Sequence, residues 1–165
     1  MKISCDLDGV LVAFSKGVCK AAGMDVSVMS DHDCEDVISK WGNNQLWKTV
    51  GRHGDNFWTN LGWTADGKTL WNAIKVFSPT ILTGRSMDKR CEPEKRVWCA
   101  RELGDNVPVI VCLAKEKQLY AGPDNLLIDD KERNCHQWAS AGGAFIHHKN
   151  SQDTLEQLRI FGFDI

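Results

Sequence analysis

Five short apolar runs recur along the chain: Lys2–Cys5, Pro79–Leu82, "VPVIVCL" (107–113), "NLLI" (125–128) and "AFIH" (144–147). Each is too short for a helix, and stretches with helical spacing separate them. Short buried strands that alternate with helices imply a parallel sheet covered on both faces, because a parallel neighbour needs a crossover. The fold class read from this alternation is α/β, a three-layer Rossmann-like sheet core.

The helical stretches follow from apolar periodicity and end signals. Ser15–Ala22 is the first. Thr69–Val76 carries Leu70, Ala73 and Ile74 on one face. Pro93 opens a helix to Leu103, with Val97, Ala100 and Leu103 as its apolar stripe, and Gly104 closes it. Glu132–Ala141 precedes Gly142-Gly143. Ser151 caps a last helix with Leu155 and Leu158 inward. Residues 16–67 break the rhythm, with helical pieces near Asp33–Lys40, Asn44–Val50 and Asn56–Leu61. That segment is too long for one crossover and too aromatic for disorder. It reads as a small helical cap inserted after the first strand, which leaves 1–15 and 68–165 as the core.

In open α/β sheets ligands bind beyond the carboxyl ends of the strands. Asp6 and Asp8 follow the first strand here. Thr83, Gly84 and Arg85 follow the second, Lys115 and Lys117 the third, and Asp129 and Asp130 the fourth. Carboxylates gathered at one edge repel one another. A hard cation such as magnesium relieves that repulsion with oxygen ligands completed by water and phosphate. A lysine and a hydroxyl nearby suit phosphate oxygens. Phosphoryl transfer uses all of these parts. One aspartate serves as nucleophile and one carboxylic acid protonates the leaving oxygen. Taken singly, each feature is as ordinary as a turn or a helix cap. Their order after successive strands is what makes a site.

Composition narrows the alternatives. The net charge is −2, so no bulk attraction to nucleic acid or anionic membrane is expected. No apolar run approaches a membrane span. The seven cysteines show no CxxC pair, and Met1-Lys2 runs straight into a strand without a signal peptide. Reduced thiols in a cytoplasmic protein are therefore expected. A zinc site from His32, Cys34 and Cys135 lacks the usual ligand-pair spacing.

The set of motifs resembles that of the haloacid dehalogenase (HAD) superfamily. "DLDGV" resembles its first motif, "ILTGR" its second and "LLIDD" its fourth, with Lys117 where the third-motif lysine is expected. Together with "NFWTNLGWTADGKTLWNAI", "KRVWCARELG" and "LLIDDKERNCHQWASAGG", the chain is similar to the 5′(3′)-deoxyribonucleotidase branch and its small phage and bacterial relatives. The resemblance implies a magnesium-dependent phosphatase for nucleoside monophosphates, with a helical cap after the first motif. It implies Asp6 as nucleophile and Asp8 as acid/base. Magnesium would be held by Asp6, the Asp8 backbone carbonyl and Asp130, with Asp129 as the supporting acid. Thr83 and the Gly84 N–H would meet the phosphoryl group, and Lys117 would balance charge, with Lys115 as the alternate. Lys95 fits the lysine role less well. The "LTGRS" form of the second motif and the short chain depart from some nucleotidases and bear on the substrate.

The cap carries four of the seven tryptophans, and an aromatic after the first motif meets the base in that family. Phe14 and Trp58 are accordingly candidates for base contact, with Arg52 and His53 as further contacts or a solvated loop. Trp41, Trp47 and Trp71 read as core, Trp98 and Trp138 as packing on core helices, and His147 and His148 as surface. The expected partner is a small phosphorylated molecule, a nucleotide. A polynucleotide end, served by the same chemistry, would need a basic track. Another small phosphate ester remains an alternative, as does a homodimer.

Overall fold

A computed structural model describes residues Met1–Ile165. The five strands are β1 (Lys2–Cys5), β2 (Thr80–Gly84), β3 (Val109–Cys112), β4 (Asn125–Asp129) and β5 (Ala144–His147). They form one all-parallel sheet in the order β3-β2-β1-β4-β5. The chain starts at the centre of the sheet and moves outward first on one side and then on the other. That reversal places the β1 end at the switch point, where ligand crevices form.

Alternation along the strands divides the core by face. Ile81, Leu126 and Ile128 belong to a large apolar cluster with Leu70, Ile74, Trp98 and Leu158. Their neighbours Leu82 and Leu127 pack on the opposite face with Cys112 and Trp138. The helices that supply these side chains are α4 (Gly67–Ile74), α5 (Cys91–Leu103), α6 (Arg133–Ser140) and α7 (Ser151–Ile160).

Between β1 and α4 lie α1 (Phe14–Ala21), α2 (Asp31–Ser39) and α3 (Asn43–His53). Ser30 caps α2 and forms a reciprocal capping box with Asp33. Val18, Cys34, Ile38, Val50, Phe57 and Trp58 join the same apolar cluster as the sheet face. Residues 55–60 are turns rather than the expected helix. Asn56 sits at φ 66°, outside the helical region, and its N–H and that of Trp58 donate to the Glu94 carboxylate at 2.8 and 2.9 Å. No helix is long and apolar enough to cross a membrane.

Three expectations are corrected here. The buried stripe of α5 is Cys91, Lys95, Trp98 and Cys99, whereas Val97 is exposed. The cap of α7 is Asn150, whose side chain accepts from the Asp153 N–H. Ser151 is instead buried and donates its hydroxyl to the Asp66 carbonyl at 2.8 Å. His148 is buried rather than on the surface, with its ring against the Thr154 hydroxyl at 2.8 Å, and burial holds it below the usual imidazole range. His147 is half-buried, its Nε2 3.1 Å from the Asp130 carbonyl oxygen.

Candidate active site

The sheet ladder continues one residue beyond β1, since the Asp6 N–H donates to the Ile128 carbonyl at 2.8 Å. Leu7 then turns into the core. Its carbonyl accepts from Leu11 and Val12 at 2.9 and 2.8 Å, which folds the chain back on itself. Gly9 makes the turn with φ +79°. A Cβ there would lie 2.4 Å from an Asp130 carboxylate oxygen, so only glycine lets the β1 loop and the β4 end approach this closely. The alternation Asp6-Leu7-Asp8 thus presents two carboxylates while the leucine between them anchors the loop.

Each carboxylate has its own partner. Asp6 accepts from the Leu7 N–H at 2.8 Å and pairs with Lys117 Nζ at 2.9 Å. Asp8 pairs with Lys95 Nζ at 2.5 Å. Lys95 also donates to the Thr83 hydroxyl at 2.9 Å and to the Gly84 carbonyl at 2.6 Å, so all three of its N–H bonds are engaged. Lys117 reaches Asp129 as well, at 2.7 Å. The fully buried Asp129 takes three donors, the Lys131 N–H at 2.8 Å and the Asn134 amide at 2.9 Å besides Lys117. Asp130 pairs with Lys131 at 2.7 Å, yet its Oδ1 is buried without a hydrogen-bond partner.

These contacts set the protonation of the groups. Burial, with Asp6 beside it, lifts Asp130 to about 7. Burial also lifts Asp8 above the ordinary carboxylate range, against the opposing pull of Lys95. Burial alone would lower Lys117, but Asp6 and Asp129 outweigh it and hold the ammonium charged. Burial would lower Lys95 too, but Asp8, Cys91 and Asp6 together outweigh it and keep the ammonium charged.

Asp6, Asp129 and Asp130 offer carboxylate oxygens that all lie within 4.8 Å of one another. The orphaned Asp130 oxygen and this grouping of hard donors fit a divalent cation such as magnesium. Asp6 and Asp129 both already accept from protein donors, so Asp130 holds the one oxygen of the three acids left without a partner. The residues of the zinc alternative do not assemble: Cys34 is sealed in the apolar core, whereas His32 is exposed beside Asp36.

A cavity of about 210 Å³ opens over these groups, lined on its chemical side by Asp6, Asp8, Lys117 and Asp130. Gly84, Arg85 and Ser86 form another part of its wall. Thr83, expected at the phosphoryl group, is fully buried behind Lys95 and is not among the residues that line this cavity. Lys115 is exposed on the turn after β3 and stays out of the cavity, whereas Lys117 is buried within it. Phe14, Trp47 and Trp58 line the apolar side. Trp47, expected in the core, is 44% exposed, with its ring 6.3 Å from Phe14. Trp58 is 2% exposed and packs edge-on against Phe57, so it forms the wall's foundation more than its face. Arg52 and His53 are exposed at the end of α3 and lie outside this cavity.

Lys95 is the residue that sequence reasoning undervalued. A lysine in a helix reads as solvated, and its burial shows only as a polar member of the spacing Cys91, Lys95, Trp98, Cys99. Ser86 and Trp47 were also missed as cavity residues.

No family model matches the chain, and no curated protein matches it. Solved structures do. A HAD-superfamily hydrolase of subfamily IA from Geobacter sulfurreducens PCA superposes with a TM-score of 0.57 at 13% identity, covering 95% of each chain. A HAD-superfamily hydrolase from Ehrlichia chaffeensis gives 0.53 at 12%, covering 98% of this chain and 97% of its own. A defluorinating L-2-haloacid dehalogenase gives 0.55 at 10%, covering 96% of this chain and 94% of its own. At such identities the likeness is one of fold: the five-stranded parallel sheet with its helices is the HAD-like, Rossmann-type arrangement.

Proposed function

We propose that the chain is a magnesium-dependent phosphomonoesterase that hydrolyses nucleoside monophosphates through an aspartyl-phosphate. The observation that carries this reading is the separation of two neighbouring carboxylates into different roles. Asp6 is paired with Lys117 as one of the acid trio, and Asp8 with Lys95 outside it.

The Asp6 carboxylate attacks phosphorus, and the bond to the ester oxygen breaks. Asp8 gives its proton to the departing alkoxide, and burial, which raises its proton affinity, favours its holding that proton beforehand. A water then attacks the aspartyl-phosphate and loses its proton to Asp8. This returns Asp6 as a carboxylate and releases phosphate. Lys117 offsets negative charge on Asp6 and on the phosphoryl oxygens. Thr83 acts by position, fixing Lys95 and through it Asp8. Asp6 and Asp130, with the Asp8 carbonyl, would hold a magnesium ion, which would offset the negative charge of the carboxylates and of the phosphate.

The dehalogenase among the structural neighbours shows that this fold also serves carbon–halogen cleavage. A halide leaves without a proton and needs no divalent cation. The Asp8–Lys95 pair and the orphaned Asp130 oxygen therefore favour the phosphate ester. The Phe14 and Trp47 rings beside the cavity offer faces for a nucleobase, a stacking contact of about 1–3 kcal/mol.

A turnover screen over nucleoside monophosphates, sugar phosphates and 4-nitrophenyl phosphate, with magnesium and with chelator, tests the reading. Nucleotides should be preferred, chelation should stop turnover, and Asp6→Asn should abolish it while circular dichroism shows the protein still folded. An Asp6→Asn protein that retains most of its activity refutes the mechanism. A preference for sugar phosphates refutes the substrate.

A further inference from the structure

Two arginines at the cavity have no partner in the protein. Arg90, Arg96, Arg101 and Arg159 each hold a carboxylate or a carbonyl. Arg85 and Arg133 hold neither, are exposed, and line the same cavity as Asp6 and Asp8. They come from different elements. Arg85 follows β2, with its N–H on the Cys112 carbonyl at 2.8 Å, and Arg133 is the first residue of α6.

The inner site needs neither of them. Asp6, Asp8, Asp129 and Asp130 face Lys95, Lys117 and Lys131 in tight pairs. Each of these carboxylates has a lysine of its own or shares one, so none of them engages either guanidinium. A guanidinium is a planar fork suited to a second phosphate, and it stays charged at every working pH.

We infer that Arg85 and Arg133 form a subsite for a second phosphate on the same substrate, so that the preferred molecule carries one phosphate at Asp6 and another at the cavity mouth. This rests on the phosphatase reading above and names its substrate class more closely. The second phosphate comes either from a nucleoside 3′,5′-bisphosphate or from the first internucleotide link of a short oligonucleotide with a terminal phosphate. The chemistry of recognition is the same for both.

The test compares molecules that differ only in the second phosphate. Dissociation constants are measured by calorimetry on the Asp6→Asn protein with magnesium. The ligands are a nucleoside 5′-monophosphate, its 3′,5′-bisphosphate, the 5′-phosphorylated dinucleotide, and the pair glucose 6-phosphate and glucose 1,6-bisphosphate. A charge-assisted contact predicts that the second phosphate tightens binding about tenfold or more. Arg133→Gln should bring that ratio towards one, and Arg85→Gln should do the same. Lys89→Gln removes an equal charge from an exposed residue outside the cavity and should leave the ratio as it was.

Preference for the bisphosphate alone identifies the small substrate. Equal preference for the dinucleotide identifies the polynucleotide end. A tenfold ratio in the sugar pair with none in the nucleotide pair keeps the subsite and refutes the nucleotide reading. Ratios near one in every pair overturn the subsite while leaving the monophosphate activity in place. An equal fall with Lys89→Gln overturns it too, because general charge would then explain the preference.

Discussion

Replacing Lys95 by methionine keeps most of the aliphatic stem and removes the charge. Lys95 is 2% exposed, and its ammonium serves Asp8, the Thr83 hydroxyl and the Gly84 carbonyl. Removing one partner of a buried pair costs about 3–5 kcal/mol, because the other charge is left uncompensated. The Asp8 side chain is 27% exposed, so water and a proton can relieve part of this, and about 2–3 kcal/mol is the expected loss. That is a large share of a total stability of about 5–15 kcal/mol. The assay is equilibrium unfolding in urea without metal, where a slope of about 2 kcal/mol per molar turns the loss into a midpoint shift of about 1 M or more. Asp8→Asn alone should also destabilise, by leaving the buried ammonium short of its counter-ion. The double variant Lys95→Met with Asp8→Asn should be more stable than the two single losses add up to, by about 1 kcal/mol or more. Additive losses, or a Lys95→Met cost below about 0.5 kcal/mol, would refute the view that this pair is a structural unit of the site.

Three further outcomes follow from the geometry. Asp8→Asn should slow hydrolysis of a nucleotide more than that of 4-nitrophenyl phosphate, whose leaving group needs little protonation; equal losses in kcat would remove the acid role. Trp47→Ala should raise KM for a nucleotide with little change in stability, whereas Trp58→Ala should cost about 3–5 kcal/mol in urea unfolding, as expected for a buried ring. The reverse pattern would show that the exposed ring does not meet the substrate. Gly9→Ala should weaken magnesium binding about tenfold in a calorimetric titration, because the new Cβ displaces the Asp130 carboxylate; unchanged affinity would exclude Asp130 from the ligand set.

The features legible in the linear chain are those whose physics is local. A strand of four or five residues declares itself by its apolar run, and the acids after β1 and β4 sit beside their strands in sequence. The parallel alternation then places those strand ends at one edge, so Asp6, Asp8, Asp129 and Asp130 could be grouped before any contact was known. Tertiary structure alone decided the partners. Lys95 lies 87 residues from Asp8, and nothing near it in sequence distinguishes a buried lysine from a solvated one. The same non-locality reversed α5, where Val97 faces solvent and a lysine faces the core. It also sank His148 against Thr154 within a polar-looking segment. It turned Trp47 outward beside Phe14, since the ring borders a cavity that exists only once α1 and α3 have met. A residue type carries a preference for burial of a few kcal/mol. A counter-ion brought from a distant element is worth as much, and no window of the sequence contains it.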